Sequence, residues 1–175
     1  MLTKNLQENT KVLDSDLRVE ESFDLIKRDI VINKRNVALY CIDGFVKDAV
    51  LMKTLVFFNS IKDESFFKDA DTFAENCVPY FEVTTEKDPN LIIQNILCGV
   101  TALIIDGMDK AVLMDMRTYP QRQTSEPDDD KVMRGSKDGF VETMISNVAL
   151  IRRRIRDVNF TVKPFFVSHC SKSDV

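Results

Sequence analysis

The densest set of chemistry-bearing side chains lies in residues 133–157. Met133-Arg134-Gly135-Ser136-Lys137-Asp138-Gly139-Phe140-Val141-Glu142 is a glycine-flanked loop carrying a hydroxyl and basic groups, and it opens an apolar-periodic helix that ends with Arg152, Arg153, Arg154 and Arg156. A helix start presents unpaired N–H groups and partial positive charge, so Arg134, Ser136 and Lys137 beside it suit contact with an anion. The loop lacks the G-x-x-x-x-G-K-S/T spacing of a nucleotide-binding loop. The same residues also fit a tight turn with Ser136 or Asp138 as helix cap. Four arginines exceed what a helix C-terminus needs. Their planar guanidinium groups suit the carboxylates of an acidic loop or a partner subunit, and a solvated basic helix end is the blander reading.

Other clusters offer less. Glu126 and Asp128-Asp129-Asp130 lack the D-x-D-x-D-G spacing of a calcium loop and read as a solvated acidic loop. Ser168-His169-Cys170-Ser171 are sequence neighbours, and neighbours on a strand point to opposite faces, so no catalytic pair is expected there. His169 is the one histidine, and the four cysteines form no C-x-x-C pair. No metal, no cofactor and no enzymatic activity are therefore expected, and the thiols suit a reducing compartment.

A length of 175 residues with 44% hydrophobic and 30% charged side chains fits a folded domain, and a net charge of -4 argues against a general nucleic-acid binder. The first ten residues lack the apolar core of a signal peptide. Residues 91–105, the longest apolar-rich stretch, are too short and too polar to span a membrane.

Stepping outward from residues 133–157, the alternation of periods predicts an α/β fold: a mixed sheet with helices packed on it, the chain ending at a subdomain junction. Residues 1–21 read as a flexible arm, with Ser15 or Asp16 capping a first helix whose inner side is Leu17, Val19, Phe23 and Ile26. A hairpin is expected from 28–32 and 37–42 around Asn33-Lys34-Arg35-Asn36, and another from 101–105 and 111–115 around Asp106-Gly107-Met108-Asp109. Helices are expected at 45–61, with Phe45, Ala49, Met52, Leu55, Val56 and Ile61 inward, and at 71–77. A further helix should run from Asp88-Pro89 to Cys98, with Gly99 as terminator. A strand is expected at 80–84. The helix from Phe140 should bury Phe140, Met144, Val148, Ile151 and Ile155, and a strand should follow at 160–167, bent or edge-placed by Pro164. Residues 22–170 form the domain in this reading, and 171–175 begin a linker to a second subdomain.

Met116-Arg117-Thr118-Tyr119-Pro120 with Arg122, Glu126-Pro127-Asp128, the 131–142 loop and Ala149-Leu150-Ile151-Arg152-Arg153-Arg154-Ile155-Arg156-Asp157 together form a long ordered pattern. It resembles the A-subunit family of spore germinant receptors, with Ile42-Asp43-Gly44 and Ser171-Lys172-Ser173-Asp174-Val175 fitting as well. Within that family it is most similar to the stage V sporulation protein AF branch. The resemblance covers the chain from about residue 22. It implies the amino-terminal cytoplasmic portion of an endospore inner-membrane protein, with an α/β unit in two subdomains and with the spanning helices further along. It further implies a role in assembly or regulation of a germinant receptor and ion-release complex, other germination subunits as partners, and self-association of the full-length protein. Arg117, Tyr119, Pro120 and Arg122 would be structural motif residues. The 134–139 loop, Glu142 and the four arginines would be the interface. The alternative function is a small-ligand domain binding a nutrient or anion through that loop. A thermal shift with amino acids, sugars or nucleotides that is lost in a Ser136→Ala, Lys137→Ala variant would favour it.

Overall fold

Side chains on successive residues of one strand enter two different cores, and that alternation sets the architecture. The computed structural model describes residues 1–119, 140–167 and 173–174. On β2 (Arg35–Ile42), Ala38, Tyr40 and Ile42 join one apolar cluster, while Val37, Leu39 and Cys41 join another. β4 (Thr101–Ile105) and β5 (Ala111–Met114) split in the same way and are buried at every position. A sheet covered on both faces needs continuous apolar strands, which explains why these two show no polar alternation.

With β1 (Leu25–Ile32) and β3 (Val83–Glu86), the strands form a five-stranded sheet in the order β1-β2-β4-β5-β3. Every pairing in it is antiparallel. The α/β class with helices on a sheet holds; the strand directions are antiparallel throughout rather than mixed, because tight hairpins make the β1–β2 and β4–β5 connections. In the first, Asn33 and Lys34 both have positive φ, 45° and 66°, the geometry of a two-residue turn that follows the sheet twist. Arg35 and Asn36 therefore belong to β2 and not to the turn.

One face carries α1 (Leu6–Leu17) and α4 (Pro89–Leu97), and the other α2 (Asp48–Ser60) and α3 (Ala70–Cys77). On the second face Phe58, Phe67 and Phe73 are all but fully buried, with ring centroids 5.1 and 5.8 Å apart around Phe73. Each such side chain contributes about 2–3 kcal/mol of burial free energy.

Residues 1–21 are not a flexible arm. Asn5 caps α1 by accepting from the N–H groups of Gln7 and Glu8, and Leu13 and Leu17 are fully buried. Leu2 is buried too; its N–H donates to the Lys87 carbonyl at 2.9 Å, and Gly107 N–H donates to the Lys4 carbonyl at 2.9 Å. The expected cap at Ser15 or Asp16 falls inside this helix, near its end.

On α2 the inward residues are Thr54 and Phe58, while Met52 and Val56 are 65% and 69% exposed. Of the expected inner set, Phe45 is buried and Leu55 and Ile61 pack partly buried on the core, while Ala49, Met52 and Val56 face outward, because this helix is apolar around most of its circumference and periodicity fixes its phase poorly. β3 starts three residues later than expected, at Val83. α5 (Met144–Arg152) is shorter than the expected helix, with Phe140 72% and Ile155 45% exposed. The expected strand at 160–167 reduces to β6 (Phe166–Val167), paired with β7 (Ser173–Asp174).

Buried thiols follow from the same layering. Burial, then the charges of Asp43 and Asp48, pushes the Cys41 thiol up to about 11, and burial followed by Asp63 raises Cys77. Cys98 is half-buried. Mapping of maleimide adducts at pH 8 is expected to find Cys98 modified and Cys41 protected by roughly two orders of magnitude or more. The protonated Cys41 thiol contributes stability that is complete below the unfolded thiol's ordinary range and is lost as pH rises toward 11. Melting temperatures that do not fall between pH 9 and 11 would contradict this.

Candidate functional site

The last turn of α5 places one arginine inward. Ile145, Val148, Ala149 and Arg152 follow the i, i+3, i+4, i+7 spacing of one helix face. That face packs on Gly44, whose φ is +80°; a Cβ there would lie 3.0 Å from Ile145 Cγ2 and 3.2 Å from Ala149 Cβ. The Ile42-Asp43-Gly44 element thus gives α5 its seat. The close approach carries Arg152 to 0% exposure, against Asp24 at 1%.

Arg152 Nε donates to Asp24 Oδ2 at 2.8 Å and Nη2 to Asp24 Oδ1 at 3.0 Å. Nη2 also donates to Ser22 Oγ at 3.1 Å, and that hydroxyl donates to Asp24 Oδ1 at 2.6 Å. The guanidinium plane sits 4.5 Å over the Phe160 ring. A charge taken out of water needs this density of partners, since each unpaired ion would cost several kcal/mol. Arg152 is therefore a core residue and is removed from the expected docking surface.

A second centre gathers residues from three expected motifs. Arg117 is paired with Asp115, its Nε donating to Oδ1 at 2.6 Å and its Nη2 to Oδ2. The hydrogen bond from Arg117 holds the Asp115 carboxyl below the usual carboxylate range, and that to Asp115 raises the guanidinium further. Tyr119 Oη donates to the Cys98 carbonyl at 2.6 Å, and Arg117 Nη1 reaches the same carbonyl at 3.4 Å. Cys98 is the C-terminal cap of α4, where carbonyls are unpaired and a cation is favoured. Arg153 lies 4.8 Å over the Tyr119 ring, and Arg156 Nη1 is 3.3 Å from Cys98 Sγ. Tyr119 in turn meets Phe45 in a T-shaped pair, centroids 4.9 Å apart at 89°.

The arginine cluster thus divides. Arg152 is buried. Arg153 and Arg156 converge with Arg117 and Tyr119 on the end of α4 while staying exposed, and exposed Arg154 donates to the Leu150 carbonyl at 3.0 Å. Glu142 is exposed. Pro120, Arg122, Arg134, Gly135, Ser136, Lys137, Asp138 and Gly139 lie outside the described residues, as do the acidic residues 126–130 and Ser168-His169-Cys170-Ser171. Sequence reasoning passed over Ser22, Asp24, Asp115 and Phe160. Ser22 and Asp24 precede β1, Asp115 follows β5 and Phe160 lies outside any element, so no helical or strand period marked them.

Chemically, both centres are sets of charge-assisted hydrogen bonds that fix α5 and the segment around Arg117 against the sheet. The chain matches the family model of the Bacillus/Clostridium GerA spore germination protein over residues 13–175, and it belongs to that family. It is 33% identical to stage V sporulation protein AF of Bacillus subtilis (strain 168) over 175 residues, covering 98% of this chain and 35% of that protein. Spore germination protein KA of the same organism is 26% identical over 179 residues, covering 99% of this chain and 32% of that protein. The chain thus spans about a third of the length of these curated relatives. Its fold is shared with the crystal structure of the N-terminal domain of the A subunit of the Bacillus megaterium spore germinant receptor GerK3. That match has a TM-score of 0.69 at 19% identity and covers 99% of this chain and 63% of that one. The family resemblance carried by residues 116–157 is confirmed, and the relatives are spore germination and sporulation proteins. Among the described residues no helix is long and apolar enough to cross a membrane.

Proposed function

We propose that this chain is a non-enzymatic domain acting in the assembly or regulation of a germinant receptor and ion-release complex during spore germination. It works on the cytoplasmic, core side of the endospore inner membrane, as the amino-terminal part of a longer membrane protein. Its partners are other germination subunits and, in the full-length protein, further copies of itself; nucleic acid is not among them. A subdomain junction near residue 170 belongs to the same reading, although within the expected linker 171–175 Ser173–Asp174 pairs with β6. The partial coverage of the GerK3 domain supports it.

One observation carries the proposal. The motif side chains Arg117, Tyr119, Arg152, Arg153 and Arg156 are engaged within this chain, so they build a rigid body and present its surface. α5 lies on the cluster shared by α1 and α4 and is followed by the exposed residues Arg153, Arg154 and Arg156, while α2, on the opposite face of the sheet, exposes Met52, Val56 and Phe57. Rigid presentation of an arginine cluster, with a separate apolar patch, suits protein contacts. Replacing Arg153 and Arg154 by alanine in the full-length protein is expected to reduce co-purification of partner subunits and slow germination by about tenfold, with the melting temperature of this chain lowered by no more than a few degrees. Wild-type assembly and germination in that variant would refute the proposal.

A further inference from the structure

Arg152 commits all three guanidinium nitrogens, two to a stretch distant in sequence and one to the segment that follows α5. Nε and Nη2 bind Asp24, Nη2 also binds Ser22, Nη1 donates to the Asp157 carbonyl at 3.3 Å, and the plane covers Phe160. Two residues past Phe160 the backbone returns to the same hydroxyl. Val162 N–H donates to Ser22 Oγ at 2.9 Å, and Phe23 N–H donates to the Val162 carbonyl at 3.0 Å. Ser22 is 1% exposed. Residues 157–162, by contrast, contain no helix or strand, and none of their side chains is buried.

This segment is held to the sheet by polar bonds converging on one hub, by the cation over Phe160 and by Val158, which is only partly buried against the first apolar cluster. The sheet it lies against is held by two apolar clusters. Elements with few buried apolar contacts open at lower free energy than the core beneath them. A buried ion pair can add little net stability while specifying one arrangement. We propose that Ser22, Asp24 and Arg152 form a clasp that fixes the path of the chain between α5 and β6. The strap 157–162 can detach from this clasp as a unit while both apolar clusters stay packed. Clasped and released settings would alter the direction in which the chain leaves the domain. The consequence of that change for assembly rests on the function proposed above; the clasp itself does not.

Hydrogen–deuterium exchange on this chain tests the device. Ser22→Ala removes only the hydroxyl shared by Arg152 and Val162. It is expected to speed exchange in peptides covering 157–167 by about tenfold, with β2 and β4 peptides unchanged. Arg152→Lys, which keeps the charge and loses the fork, should speed the strap more than the sheet. The proposal is overturned if strap and sheet exchange at one common rate in the parent chain. It is equally overturned if Ser22→Ala accelerates both together, because the strap would then belong to the sheet's cooperative unit. A full-length Ser22→Ala protein that fails to assemble while its strap stays protected would also contradict the clasp and leave the proposed function standing.

Discussion

Replacing Arg152 by alanine is expected to lower the folding stability of this chain by about 3–5 kcal/mol, read as a shift of the urea midpoint at constant slope. The size follows from what is left behind. Asp24 is 1% exposed on its side chain and, among the described residues, would keep the Ser22 hydroxyl alone as a close side-chain partner. An uncompensated buried carboxylate costs far more than the pair contributes, because the pair's attraction largely offsets two desolvation penalties. Phe160 would also lose the guanidinium that covers it. The double variant Asp24→Leu, Arg152→Met keeps similar volume without leaving a charge, so its stability is expected to fall within about 1–2 kcal/mol of the parent. A single Arg152→Ala variant within about 1 kcal/mol of the parent would show that water reaches this site. The burial argument would then fail.

The same residue shows how far the sequence could be read. Apolar periodicity in 140–157 led to a helix with Phe140 and Ile155 inward and all four arginines outward. The helix exists, but its phase is set by Gly44 and by the Arg152 pair, neither of which is an apolar signal. α1 was missed for a related reason. Asn9 holds an inward position by donating to the Thr3 carbonyl at 2.7 Å and accepting from Thr3 N–H at 2.9 Å, so a polar residue breaks the apolar stripe of Leu6, Leu13 and Leu17. Where backbone chemistry dominates, the reading was sound. The turn falls within the expected Asn33-Lys34-Arg35-Asn36 stretch, narrowed to the two residues with positive φ, and Asp88-Pro89 supplies a cap and a first helical residue that loses no bond.

The site was legible as separate pieces and not as an assembly. The R-x-Y motif at Arg117 and Tyr119 and the arginines at 153 and 156 are more than thirty residues apart, and only the fold brings both to the end of α4. Long-range convergence leaves no local pattern in a single chain. The split between Arg152 inside and its neighbours outside is likewise a consequence of α5 seating on Gly44.

Gly99→Ala is expected to destabilise the chain by about 2–4 kcal/mol, the larger effect among single-methyl additions at its glycine turns. Gly99 has φ +94° and follows the cap of α4. Its N–H donates to the Ile96 carbonyl at 2.7 Å, and the next residue's N–H donates to Asn95 at 3.0 Å, the paired bonds of a left-handed helix terminator. An alanine pays for the left-handed backbone, roughly 1 kcal/mol, and then meets a wall. Its Cβ would lie 2.5 Å from Phe45 Cδ2 and 3.3 Å from Arg117 Cδ. Phe45 is fully buried and braced by Tyr119, so it cannot give way without shifting the ring under Arg153. At Gly44 the added Cβ would lie 3.0 Å from Ile145 Cγ2 and 3.2 Å from Ala149 Cβ, a milder overlap that α5 can relieve by shifting a few tenths of an ångström. Gly44→Ala is therefore expected to cost about 1–2 kcal/mol, half as much or less. Loss of tyrosine near-ultraviolet dichroism in Gly99→Ala, with far-ultraviolet helix content retained, would locate the damage at the Phe45–Tyr119–Arg153 stack. Equal melting temperatures for the two glycine variants would mean that Phe45 yields freely, and the end of α4 would not be the rigid support that both arginine motifs require.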